Sequence, residues 1–303
     1  SLGCLSETAV SPYYRKTVMR RIIMILILLS VMEVSTFSNA QPSFPQTVYF
    51  DDSDAAIMIL GNSHYEIGFR KTNGSIAYIT DKATGQHVTE GSRYECLWGA
   101  YCNKEITNCM QPEVYIGGCG YQMAGGNRFS YSWSAVTKTL LLNYTPDPTA
   151  TQQATVQVTV VASESNWFDM RLQLQSEWGD ILDYVLFPSD TVFREVDIQG
   201  ALIPFLPGVV LEPAFFEQNM SFVVKYPGDW QFADYIAISS IKGQIAIYSL
   251  YGQGPIRPLW LGFNHDDAYI NDSTYYYHTF AAKVNDGDTW ISPWVRIRVS
   301  QSP

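Results

Sequence analysis

The stretch Trp260-Leu261-Gly262-Phe263-Asn264-His265-Asp266-Asp267 sets an indole, an amide, an imidazole and two carboxylates within eight residues. That mixture suits a pyranose, whose C–H face stacks on an aromatic ring while its hydroxyl rim exchanges hydrogen bonds with Asn, His and Asp. Trp230, Tyr251 and Trp260 all stand in segments containing Gly or Pro, which places them near loops. Together with Asn264, His265 and Asp266 they are the candidate sugar contacts. The alternative for each aromatic is packing in a core or at its rim. Trp133, Trp167 and Trp294 fall inside alternating segments and are read as core.

Glycoside hydrolysis needs two carboxyl groups facing each other across the bond. The best acidic candidates are Asp229 and Asp234 in YPGDWQFAD, and Asp266 and Asp267 in FNHDDAY. Both neighbourhoods are turn-like, where Asp serves mainly to hydrogen-bond its own backbone. The chain has four histidines, His64, His87, His265 and His278. His64 and His278 are expected as satisfied sheet residues; His265 is the weak catalytic candidate, with an exposed loop histidine as its alternative. There is no G-x-S-x-G elbow, phosphate-binding loop, H-E-x-x-H helix or dinucleotide fingerprint. Asn285-Asp286-Gly287-Asp288 hints at calcium but lacks the other ligands of the twelve-residue loop, so a plain turn is the expectation and no cofactor or metal is assigned. Asn73, Asn143, Asn219 and Asn271 each open an N-x-[ST] acceptor pattern, which matters only in a host that glycosylates.

Positioning any such site falls to strands. Polar and apolar residues alternate at period two in His64–Arg70 and Thr155–Val160, and again around Phe129–Trp133, Thr137–Tyr144, Phe168–Gln175, Ser221–Lys225, Tyr235–Ile241, Gln244–Leu250, Tyr275–Lys283 and Trp294–Val299. Asn73-Gly74 and Lys242-Gly243 read as tight links between neighbouring strands. No window of 12 or more residues after residue 40 carries a capped helical stripe. The expected fold is all-β, a large antiparallel β-sandwich. Cys96, Cys102, Cys109 and Cys119 lie within 24 residues. In an exported protein they are expected as two disulfides stapling a glycine-rich loop, with all three pairings open; zinc is the rival, but the spacing has no C-x2–4-C pair.

Export itself is the expectation from the amino end. Arg15, Lys16, Arg20 and Arg21 precede the apolar run Ile22–Leu29, and Ser38-Asn39-Ala40 offers a small-x-small cleavage site. The run is shorter than the roughly 20 residues a spanning helix needs. Residues 1–40 are therefore read as upstream sequence and signal peptide, and residues 41–303 as one domain, secreted or extracytoplasmic. Four of the 19 basic and two of the 29 acidic residues fall before residue 41, leaving a formal charge of −12. With no basic cluster in what remains, neither nucleic acid nor, after cleavage, a membrane is an expected partner.

Two stretches resemble a known family. YEIGFRKTNGSIAYITDKATGQ at Tyr65–Gln86, followed by Leu97-Trp98, is similar to the opening of galactose-mutarotase-like β-supersandwich domains, and YYHTFAAKVNDGDTWISPWVRIRV at Tyr276–Val299 looks like their last strands. The resemblance implies a supersandwich of the kind that stands before the catalytic barrel of secreted glycoside hydrolases, helping to form the sugar site. It also implies partners: carbohydrate, and a C-terminal catalytic domain, which is expected beyond this chain because the sequence ends at Pro303, directly after the last strand. Mutarotases of this family use a histidine acid and a glutamate base, and no such pair can be matched here from sequence. Three readings follow: a non-catalytic N-terminal domain supporting a hydrolase barrel, a stand-alone carbohydrate-binding or surface adhesion protein, and a mutarotase-like or lyase-like enzyme.

Overall fold

Alternation of buried and exposed side chains along each strand dictates the architecture. In β18 (Gly243–Leu250) every second residue is buried, with Ile245 and Ile247 each 1% exposed, while Gln244, Ala246 and Tyr248 are half-exposed. β11 (Trp167–Glu177) does the same with Phe168, Met170, Leu172 and Leu174. Such strands can bury one face only, so two sheets must meet. A computed structural model describes residues 47–91, 96–102, 114–117, 127–146, 153–177, 181–188, 191–205, 208–218, 220–228, 233–251, 259–265 and 272–300. The expected leader, residues 1–40, lies outside them.

All strand pairs among the described residues are antiparallel, in three sheets. The first is a five-stranded meander: β1 (Tyr49–Asp51), β2 (Ile57–Gly61), β3 (Tyr65–Arg70), β4 (Ile76–Asp81) and β5 (Gln86–Thr89). The ten-stranded sheet runs β15 (Val209–Leu211), β14 (Ile198–Ile203), β17 (Tyr235–Ser240), β18, β22 (Trp294–Ser300), β11, β10 (Gln153–Ala162), β9 (Thr139–Pro146) and β8 (Asn127–Ser134), with β21 (Thr289–Ile291) paired to β11. The seven-stranded sheet runs β16 (Phe222–Tyr226), β19 (Leu259–His265), β20 (Ser273–Val284), β12 (Leu182–Leu186), β6 (Gly99–Cys102) and β7 (Val114–Gly117), with β13 (Thr191–Arg194) on β20. The inner faces share one core, in which Val158, Leu172, Ile247 and Ile297 join Val185, Leu261, Phe263 and Phe280. Among the described residues helix is confined to a five-residue turn of α1 (Pro213–Glu217) and a 3-10 turn at Glu195–Asp197. The all-β sandwich expected from the alternation is the observed fold.

The hairpins follow from turn chemistry. Asn73 Oδ1 accepts from the Ser75 amide at 3.0 Å, and Gly74 takes φ 68°, a left-handed conformation that only glycine adopts cheaply. Asn73 is 6% exposed and spends its side chain on this turn, so its acceptor pattern is not presented. At the second hairpin the turn falls one residue earlier than its sequence suggests. Gly243 pairs with Ser240 as a strand residue, and Ile241-Lys242 form the loop. Residues 285–288 make the expected turn, in which Asn285 Nδ2 donates to Asp288 Oδ2 at 2.7 Å.

Long-range hydrogen bonds tie the first sheet to the second. Asn62, 2% exposed, donates from Nδ2 to the carbonyls of Ser163 and Ser165 at 2.8 and 2.7 Å, while its Oδ1 accepts from the amides of His64 and Tyr65. Thr84 donates to the Lys242 carbonyl at 2.7 Å. Cys96 is buried and disulfide-bonded, and Cys102 ends β6. Cys109 and Cys119 lie outside the described residues. Among those residues no helix is long and apolar enough to cross a membrane.

Candidate functional site

Trp260 and His265, two of the residues expected to hold sugar, lie on opposite faces of one strand. Trp260 lies inside β19 rather than near a loop, because Leu259, Leu261 and Phe263 are fully buried and the strand must alternate. Its ring meets Tyr184 edge-on at 5.3 Å, and Lys225 Nζ lies 5.3 Å from its centroid. His265 ends the same strand, five positions on, and so points to the opposite face. It is not an exposed loop residue: its Nδ1 is 2.7 Å from Glu195 Oε1, and its amide donates to Ser221 Oγ. That histidine–glutamate contact joins residues 70 apart in sequence. Asn264 pairs with Tyr275 through its backbone. Asp229, Trp230, Asp266 and Asp267 lie outside the described residues.

Tyr251 follows β18 and packs partly against the core, 6.3 Å from the ring of Tyr226. Beside it is Asp234, 7% exposed, with an Oδ2 that has no hydrogen-bond partner. Burial pushes the Asp234 carboxyl up to about 6, against the polar groups of Ser249 and Tyr251, which act in the opposite direction. The other histidines are accounted for locally. His278 is buried in β20 with Nδ1 2.6 Å from the Phe187 carbonyl, and burial pulls it down to about 4. His64 sits in the bend before β3, not in a strand. His87 lies on β5 with Nδ1 2.8 Å from Thr80 Oγ1 and its ring 4.2 Å from Tyr78.

A denser constellation occupies the outward face of the ten-stranded sheet. Trp167 and Trp294, expected in the core, are half-exposed there, since the core positions of their strands are the alternate ones: Phe168 and Met170, Val295 and Ile297. Trp133 does face inward, stacked on Phe50 at 5.3 Å, though only half-buried. Strand register lays the outward residues in rows. One runs Leu202–Ala237–Ala246–Arg298–Trp167 across five strands. The next runs Tyr235–Tyr248–Arg296–Asp169–Val161. The Arg296 guanidinium stacks 3.5 Å from the Trp167 centroid and holds Asp169 through two bonds of 2.7 and 2.9 Å. Arg171 lies over Trp294 at 5.5 Å.

Where the outward side chains are small, at Gly200, Ala237, Ser239 and Ala246, the face sinks into a cleft of about 610 Å³ walled by Gln244 and Arg298. Its volume is that of a ligand site. The cleft offers amide and hydroxyl groups for a hydroxyl rim and a guanidinium at the edge. A second groove of about 510 Å³ lies at His64, Asp81, Glu164 and Asn166. Among the described residues no group of three or more His, Cys, Asp or Glu side chains could hold a metal ion.

No family model and no curated protein matches the chain. Solved structures do. The α-N-acetylgalactosaminidase NagBb from Bifidobacterium bifidum, in complex with GalNAc, superposes with a TM-score of 0.55 at 12% identity over 80% of this chain and 36% of that one. The GH36 α-galactosidase AgaB from Geobacillus stearothermophilus matches at 0.49 and 11% identity, over 84% of this chain and 41% of that one. A galactose mutarotase related enzyme from Lactobacillus acidophilus matches at 0.48 and 7% identity, over 82% of this chain and its own whole length. The fold is the galactose-mutarotase-like supersandwich. The supersandwich spans about a third of the galactosaminidase and two fifths of the galactosidase.

Proposed function

We propose that this supersandwich is an exported, non-catalytic carbohydrate-recognition domain that serves a glycoside hydrolase from the amino-terminal side of its catalytic domain, with the outward cleft of the ten-stranded sheet as its sugar site. The observation that carries the reading is that cleft, where small residues form a floor walled by Gln244 and Arg298. The likeness to NagBb over about a third of that enzyme supports the hydrolase context. The buried, disulfide-bonded Cys96 suits an oxidising compartment, and the four cysteines are taken as two disulfides.

The test is titration of the purified chain with neutral galacto-, gluco- and mannooligosaccharides, read by tryptophan fluorescence and calorimetry, alongside turnover of chromogenic glycosides. Saccharide binding without turnover is expected; a chain that binds no saccharide ends this reading. The contact between His265 and Glu195 favours a second one, a mutarotase-like or lyase-like enzyme using these residues as acid and base. Interconversion of sugar anomers or eliminative cleavage, abolished by His265→Ala, would decide for it.

A further inference from the structure

We propose that the outward cleft selects saccharides bearing a carboxylate, uronic acids above all, and that Arg298 is the group that recognises the charge. The inference rests on the carbohydrate reading of the same cleft and adds the substrate class. After residue 40 the chain is strongly acidic, with a formal −12, and an acidic surface repels acidic glycans unless it carries a local exception. The outward face is that exception. Arg171, Arg296 and Arg298 stand on β11 and β22, and Asp169 is the only acidic side chain in their rows. Asp169 is already engaged, held in a bidentate pair by Arg296.

Arg298 has a different position from its neighbours. It is exposed, lines the cleft, and has no carboxylate partner among the described residues. In the strand register it is opposite Trp167 on one side and Ala246 on the other. Neighbouring strands lie about 4.8 Å apart, so a sugar seated on the small floor at Ala246 would bring a ring substituent to the guanidinium. A planar guanidinium matches the two oxygens of a carboxylate, which a neutral hydroxyl cannot reproduce. Gln244 Nε2 donates to Ser239 Oγ at 3.3 Å, and the remaining donors and acceptors of this pair face the cleft for the hydroxyls. Charge-assisted bonds of this kind contribute about 1.5–3 kcal/mol, or roughly 10- to 100-fold in affinity.

The experiment titrates the whole chain with trigalacturonate and with galactotriose, in low salt and in 0.5 M NaCl. Trigalacturonate is expected to bind at least tenfold more tightly, with an advantage that shrinks in salt. Arg298→Ala should remove that advantage, lowering trigalacturonate affinity at least tenfold more than galactotriose affinity, while the melting temperature stays unchanged, since the side chain is exposed. Ala246→Trp, which fills the floor, should abolish both. Equal affinity for the two sugars, or an Arg298→Ala variant that retains the preference, overturns the proposal. Galactotriose binding that Ala246→Trp removes, without trigalacturonate binding, overturns it and leaves the carbohydrate reading standing. Binding of neither ligand removes both.

Discussion

Replacing Asp234 by Asn should make the protein more stable, and only above the acid range. The carboxyl is 7% exposed and burial pushes it up to about 6 from the ordinary 3.8. A raised acid favours its neutral form in the fold, so the ionised form opposes folding. The cost is absent below the unfolded value, grows through the interval, and is complete above the folded one. At 1.36 kcal/mol for each tenfold change, the gap from 3.8 to about 6 amounts to about 3 kcal/mol at pH 8 and about 0.5 kcal/mol at pH 4. Asn keeps the shape and cannot ionise. Urea denaturation of both proteins at pH 8 and pH 4, followed by tryptophan fluorescence, measures the difference directly. His278, pulled down to about 4, also titrates over this range, and its neutral burial favours unfolding as pH falls. It is common to both proteins and drops out of the comparison. A gain of similar size at both pH values, or a loss at both, would refute the argument that ionisation of a buried carboxyl is the cause.

Two further substitutions probe how a strand pair and a sheet junction are held together. A side chain at Gly262 would place Cβ on the Phe222 carbonyl oxygen and 2.6 Å from Val223 Cα, so Gly262→Ala should force β16 and β19 apart and lower stability by several kcal/mol, seen as a drop in the denaturation midpoint. Asn62→Ala leaves two carbonyls and two amides without the side chain that joins them, and about 2–4 kcal/mol should be lost, with amide exchange accelerating at His64 and Tyr65. Unchanged stability in either variant would count against the packing described.

Much of the architecture was legible in the chain because period two is a local signal. Gln153–Ala162 and Trp294–Ser300 alternate without interruption, and Asn73-Gly74 encodes its own turn. Parity within those same segments also carried the site. Trp167 shares its face with Asp169 and Arg171, and Trp294 shares its face with Arg296 and Arg298. A tryptophan among charged residues two apart belongs outside, and reading them as core set aside that parity in favour of ring size. Trp260 was misplaced for the opposite reason: the Pro258 nearby suggested a loop, while Leu259, Leu261 and Phe263 impose a strand. The meeting of His265 with Glu195, and of Asp234 with Tyr251 and Tyr276, depends on strands brought together by the sheet pairing, and no spacing along the chain announces it.

The four bonds of Asn62 bear on how the molecule is made. Its amide groups belong to the β1–β5 meander, yet two of their partners, the carbonyls of Ser163 and Ser165, follow 101 and 103 residues later. At roughly 5–20 residues per second, that gap is on the order of 5–20 s of synthesis. Throughout that interval the nascent meander must keep a polar group open that the finished fold closes, so it cannot settle into its final form ahead of the β10–β11 hairpin. The amino-terminal sheet therefore becomes native together with the second sheet and not before it.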